Sequence, residues 1–178
     1  MRKKRYPAPS IDVKTTIYFN IGSNIGDRRT FIARAVAALY KLPDVEVASV
    51  RQSAYIESEP WGFISEKPFL NLGAAVLADI EKGWDETKLK RLIEYVKGVE
   101  REISEMPHRK PDGTYSDREV DIDIIAVDEL CFATEALTLP HPQMHLRRFV
   151  LAPMAELAPL WRHPDTGLTA AEMLLSTK

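Results

Sequence analysis

Residues 116–128 read SDREVDIDIIAVD, and the centre of this stretch alternates between aliphatic and carboxylate side chains. Val120, Ile122 and Ile124 fall on one side of a two-residue period and Glu119, Asp121 and Asp123 on the other. That is the pattern of a strand buried on one face only. Such a strand requires a sheet with an apolar layer behind it, and it leaves carboxylates together in front. Stacked carboxylates repel, and a hard divalent cation, which takes oxygen ligands, relieves the repulsion. Asp121 and Asp123 are therefore candidate magnesium ligands, although a solvated acidic sheet edge would show the same alternation.

The remaining periodic segments supply the sheet and its cover. Residues 14–21 (KTTIYFNI) read as a first strand ending at Gly22. The turn GSNIGD follows, and its Asp27 is placed to cap a helix that runs to about Lys41 with Ile32, Val36 and Leu39 on one stripe. Residues 45–53 and 71–79 read as two further strands. Asp85 caps a second helix, whose core stripe is Leu89, Leu92, Ile93, Val96, Val99 and Ile103. The order strand, helix, strand, strand, helix, strand predicts an α+β domain with a ferredoxin-like βαββαβ core, its helices packed on one face of an antiparallel sheet. Near the end, Thr169 and Glu172 form a capping box that opens a short last helix.

Composition narrows the function classes. The 178 residues, 45% apolar and 28% charged, suit a single domain, expected over residues 14–178 behind a flexible basic tail at residues 1–13. With 24 basic and 26 acidic side chains the net charge is -2, so neither a nucleic acid nor a membrane surface is indicated as partner. No apolar run approaches the roughly 20 residues that span a bilayer. The lone Cys131 has no disulfide or zinc partner, which suits a reducing, cytoplasmic setting.

Three further stretches bear on chemistry. GSNIGD is not a Walker phosphate loop, since Asp27 and Arg28 stand where lysine and a hydroxyl residue are required. Residues 55–70, YIESEPWGFISEKPFL, hold Trp61 and two phenylalanines among prolines and a glycine, which suits either stacking of a flat heterocycle or a lid over the core. Residues 104–117 break the second helix with Pro107, Pro111 and Gly113 and gather His108, Arg109 and Lys110 just before the acidic strand. A basic loop beside a carboxylate pair is what a metal–nucleotide site needs; a solvated hinge is the alternative. In HPQMHLRRF, His141 and His145 lie four apart, but Pro142 argues against a helix there and no third soft ligand is near, so phosphate contact is favoured over zinc.

Three blocks together resemble a known family: YFNIGSNIGDRRTFIARAVAAL; SEPWGF followed by PFLN; and DREVDIDII followed by LTLPHPQMHLRRFVLAPMAELAP. In this order and spacing they are similar to the 6-hydroxymethyl-7,8-dihydropterin pyrophosphokinases, which move the terminal pyrophosphate of ATP to a pterin alcohol in folate biosynthesis. The resemblance implies that Asp121 and Asp123 hold two magnesium ions bridging the phosphates of ATP, the co-substrate. It implies a pterin site at Ser58, Glu59, Pro60, Trp61 and Asn71, with Phe149 on one ring face and Tyr115 on the other. Glu100, Arg118, His141 and Arg147 match nucleotide positions, and Gly22, Ser23 and Asn24 shape the floor. The implied partners are the two small-molecule substrates, and a monomer is expected.

The chain departs from the family in residues 104–118. Ser104 and Glu105 stand where a glycine–arginine pair is common, and the usual glycine–proline–arginine before the acidic strand reads Ser116, Asp117, Arg118. Arg109 or Lys110 is therefore expected to meet the phosphates. Pyrophosphoryl transfer needs in-line geometry and cations and no protein nucleophile, with Asp123 the expected proton acceptor. Two rivals remain: an RNA-recognition module, which lacks its aromatic strand face and basic surface here, and a silent ATP or pterin sensor.

Overall fold

A computed structural model describes residues 12–104 and 116–177. Strand β1 (Asp12–Ser23) leads through the GSNIGD turn into α1 (Arg28–Ala38), which closes in a 3₁₀ turn at Leu39–Lys41. Strands β2 (Val45–Gln52), β3 (Ile56–Ser58) and β4 (Phe69–Glu81) follow, then α2 (Glu86–Ile103) and the acidic strand β5 (Asp121–Val127). A hairpin of β6 (Phe132–Ala133) and β7 (Thr138–Leu139) precedes α3 (Arg148–Leu157) and α4 (Ala170–Ser176). The main sheet is antiparallel, with order β2-β4-β1-β5 and β3 added on β4. Counting only the four long strands, this is the ferredoxin-like βαββαβ order that the periodic segments predict.

The helices start where their caps dictate. Asp27 accepts from the Thr30 N–H at 3.2 Å and Asp85 from the Lys88 N–H at 2.8 Å, each answering a first-turn donor. The α2 stripe of Leu89, Leu92, Val96, Val99 and Ile103 is buried, and it joins Ile32, Ala35 and Val36 of α1 over one face of the sheet. Ile122 and Ile124 point into that core, which is why Asp121 and Asp123 must face the other way. Strand β1 starts at Asp12 rather than within the expected domain boundary at residue 14, because Asp12 and Val13 extend the pairing with Glu81 and Ile80. Residues 1–11, the rest of the expected tail, lie outside the described residues.

A second layer covers the opposite face, beyond the one helical layer that the element order predicts. Val150, Leu151, Met154 and Leu157 of α3 and Ala170 and Met173 of α4 pack with Trp161 on Tyr18, Ala75, Ile125 and Ala126. A bulge in β5 makes this possible: Tyr18 pairs with Ala126 but Phe19 with Ile124, so Ile125 is extra and both it and Ala126 face α3. Pro153 lies inside α3 and packs against Gly73, where an added Cβ would come within 2.5 Å of the Pro153 Cβ.

Candidate active site

The α3–α4 layer covers only one end of its sheet face. At the other end three strands lay out a floor in register, with Asn71, Gly22 and Asp121 in one row and Gly73, Asn20 and Asp123 in the next. Asn20, Asn71, Asp121 and Asp123 line a cleft of about 310 Å³ together with Ser58, Glu59, Trp61, Phe63, Phe69, Arg118, His141, Pro142, Gln143, Arg147 and Phe149. A second cleft, about 480 Å³, opens on the far side of β5, walled by Ile93, Val96, Lys97 and Glu100 of α2 and by residues 135–138 of the β6–β7 hairpin. The two clefts share Arg118, Asp121, Asp123, His141 and Pro142. One cleft is aromatic, the other polar, and the carboxylate pair stands between them.

Each carboxylate has a guanidinium partner. Arg118 reaches Asp121 at 3.4 Å, and Arg147 reaches Asp123 at 3.3 Å. These pairs relieve the repulsion that the alternating sequence builds in. Burial nevertheless holds the Asp123 carboxyl above its ordinary pKa, against the pull of Arg147 and Arg118. Glu100, whose Oε1 accepts from the Ile122 N–H at 2.7 Å, is pushed up to about 8, first by burial and then by Asp121. His141 is pushed down to about 4 by burial and by Arg147, so its imidazole is neutral. Its Nδ1 accepts from the Gln143 N–H at 3.2 Å, which leaves the proton on Nε2.

The walls are positioned by distant contacts. Asn24 donates to Asp117 at 2.7 Å and accepts from the Arg118 N–H at 2.8 Å, fastening the approach to β5 against the end of β1. The first signature block thus acts as a latch as well as a floor. Asn71 donates to Ser58 Oγ at 3.0 Å. The Arg147 guanidinium lies 4.4 Å over the Trp61 ring and 5.9 Å from that of Phe149.

Most of the expected site residues converge. Ser58, Glu59, Trp61, Asn71, Arg118, Asp121, Asp123, His141, Arg147 and Phe149 line the aromatic cleft, and Glu100 lines the polar one. Pro60 lines neither, and Glu119 stands ahead of β5, outside the ladder and outside both clefts. Arg109, Lys110 and Tyr115 lie outside the described residues. Asn20, Phe69 and Gln143 were not singled out by the sequence. Asn20 carried a signal, an amide inside the apolar run TIYFNI, and Phe69 was legible only as part of an aromatic loop.

The donors suit magnesium. Among the described residues no three histidine, cysteine or acidic groups gather tightly enough to cage an ion. Two carboxylates on one strand face, with phosphate and water completing the shell, are how this ion is held beside nucleotides.

An α+β domain with a carboxylate pair and its arginines at the meeting of two clefts suits the class of ATP-dependent transferases of phosphorus groups. The model of the 7,8-dihydro-6-hydroxymethylpterin-pyrophosphokinase family matches residues 18–159, and the chain belongs to that family of diphosphotransferases in folate biosynthesis. A curated 2-amino-4-hydroxy-6-hydroxymethyldihydropteridine pyrophosphokinase of Porphyromonas gingivalis is 36% identical over 151 residues, 84% of this chain and 94% of that protein. One of the same description from Bacillus subtilis is 34% identical over 140 residues, 79% of this chain and 76% of that one. A crystal structure of Plasmodium falciparum HPPK-DHPS with pteroate superposes with a TM-score of 0.61 at 12% identity, over 95% of this chain and 43% of that longer one, a likeness of fold. Among the described residues no helix is long and apolar enough to cross a membrane.

Proposed function

We propose that the chain transfers pyrophosphate from ATP to 6-hydroxymethyl-7,8-dihydropterin across the Asp121–Asp123 pair, with the pterin in the aromatic cleft and the nucleotide in the polar one. The observation that carries this reading is the meeting of two unlike clefts at one carboxylate pair flanked by arginines. Asn71 and Ser58 offer an amide and a hydroxyl to the edge of a heterocycle, while Phe149, with Phe69 and Trp61, offers ring faces. Tyr115 would complete the stack from the loop.

Two magnesium ions held by Asp121 and Asp123 would neutralise the charge on the phosphate oxygens. The chain itself does the rest by position. The Asp pair, Arg118 and neutral His141 stand where the two clefts meet, with Arg147 reaching Asp123 from the aromatic side, so the β-phosphorus is presented to the hydroxymethyl oxygen with its charge already matched. Arg147 and Arg118 turn from the carboxylates to the phosphates as these arrive; the buried Arg147 Nε, unpartnered among the described residues, is a donor for that purpose. No side chain acts as nucleophile. Asp123, beside the acceptor oxygen, takes the hydroxyl proton. In the same reading Arg109 or Lys110 supplies the loop cation that Glu105 cannot, and full turnover in a double Ala variant would remove them from it. On this reading the chain also acts as a monomer, and the exposed thiol of Cys131 accords with the reducing cytoplasm.

The test is a product assay. With ATP, magnesium and the pterin alcohol, chromatography should show AMP formed in strict dependence on the pterin; ADP as the sole nucleotide product would defeat the reading, and binding without turnover would make the chain a sensor.

A further inference from the structure

One buried polar group on the floor has no partner. Asn20, in the middle of β1, is 5% exposed and lines the aromatic cleft, and its Oδ1 is buried without a hydrogen bond among the described residues. Its flanking neighbours Phe19 and Ile21 are core residues, and a leucine at Asn20 would fill similar space with no polar atom to satisfy. The floor itself does not answer the oxygen. Of the two cross-strand neighbours, Gly73 has no side chain, and Asp123 when ionised can only accept. The chain's two other asparagines are engaged: Asn24 bonds Asp117 and Arg118, and Asn71 bonds Ser58.

We propose that Asn20 is a substrate-positioning residue whose side-chain oxygen accepts a hydrogen bond from the hydroxyl of the bound pterin alcohol. The inference deepens the assignment of the aromatic cleft to the pterin and rests on it. The register places the site. Asn71 and Asp121 sit on either side of Gly22 in one row, and Asn20 sits beside Asp123 in the next, diagonal to Asn71. With the ring edge held at Asn71 and the phosphates at the Asp pair, the hydroxymethyl group is the part of the acceptor that spans the floor between them. Turning the carboxamide about its last torsion presents the oxygen to the cleft. Asn20 itself neither gains nor loses a proton: it holds the hydroxyl in place in the bound complex, with a lone pair of that oxygen facing the phosphorus, and during attack the O–H turns to the adjacent Asp123, which takes the proton.

The experiment compares two ligands on the same protein. Binding of 6-hydroxymethyl-7,8-dihydropterin and of 6-methyl-7,8-dihydropterin, which lacks the hydroxyl, is measured calorimetrically with magnesium and a non-transferable α,β-methylene ATP present. Asn20→Leu should weaken the hydroxymethyl compound about tenfold, the scale of one hydrogen bond left unmade, and leave the methyl compound unchanged. Asn20→Ser, which keeps an oxygen, should recover part of the loss, and Asn20→Ala serves if the leucine variant melts early. Equal weakening of both ligands, or of neither, overturns the proposal. A parent protein that binds no pterin alcohol would instead overturn the reading of the cleft, and that is visible before any variant is made.

Discussion

The two faces of the sheet differ in how far their apolar cover extends. Behind the sheet, α1 and α2 join strand residues from Ile17 to Val127 in one continuous core. In front, α3 and α4 bury Tyr18, Ala75, Ile125 and Ala126 and then stop, and the same three strands continue with Asn71, Gly22, Asn20, Asp121 and Asp123. A polar floor is tolerable there because the strands are held from behind and because each aspartate has its arginine. The active site is thus the part of a well-packed sheet from which one layer has been left off.

That contrast is tested most severely at the aspartates. Asp121→Asn or Asp123→Asn should cost at least about a thousandfold in turnover, roughly 4 kcal/mol, since an amide cannot bring a charge to magnesium and phosphate. The metal-free melting temperature should hold or rise, because burial already disfavours the charged form of Asp123. A loss of turnover under about tenfold, or a collapse of the fold, would erase the distinction between floor and core.

Two glycines on the front face sharpen the comparison. In Gly73→Ala the new Cβ would lie 2.5 Å from the Pro153 Cβ, so α3 must move, at about 1–3 kcal/mol of stability. In Gly22→Ala the new Cβ would lie 3.0 Å from Asn71 Oδ1 and 3.2 Å from Phe69, groups that edge the cleft. Stability should change little, while KM for the pterin rises roughly tenfold, about 1.4 kcal/mol, and KM for ATP does not. Melting curves and two-substrate kinetics on both variants decide the matter; equal destabilisation by the two would mean that the floor is packed like the rest.

The back layer was legible in the sequence because its signals are periodic: the stripe from Leu89 to Ile103, the alternation from Val120 to Ile124, and the caps at Asp27 and Asp85. The front layer was legible only at α4, which the Thr169–Glu172 capping box opens as expected. Pro153 inside α3 reads as a breaker, and only its contact with Gly73, 80 residues earlier, explains its place. The aspartates were legible as ligands, but their pairing with Arg118 and Arg147 depends on chain returns that spacing does not encode. Asn24 was visible as a turn and floor residue but not as a latch, since its partners at Asp117 and Arg118 lie 93 and 94 positions away. Asn20 went unnoticed for a simpler reason: one amide in an apolar strand becomes informative only when the surrounding side chains fail to bond it.

The pH dependence of stability tests Glu100, which sits where the back layer meets the site. Its carboxyl pKa is raised to about 8 by burial and by Asp121, whereas in the unfolded chain it titrates near 4.5. Between those values the unfolded state has lost a proton that the metal-free native state retains, so this group lowers stability as pH rises through that window. Glu100→Gln keeps an oxygen for the Ile122 N–H and removes the titration. In chelator, the variant should nearly match the parent at pH 4.5 and exceed it at pH 8 by up to about 4 kcal/mol, on the order of ten degrees in melting temperature. Magnesium should narrow that gap by favouring the ionised carboxylate beside Asp121. If the two proteins melt in parallel from pH 4.5 to 8 without metal, Glu100 is solvated like a surface acid, and the boundary between covered and open sheet lies deeper than α2.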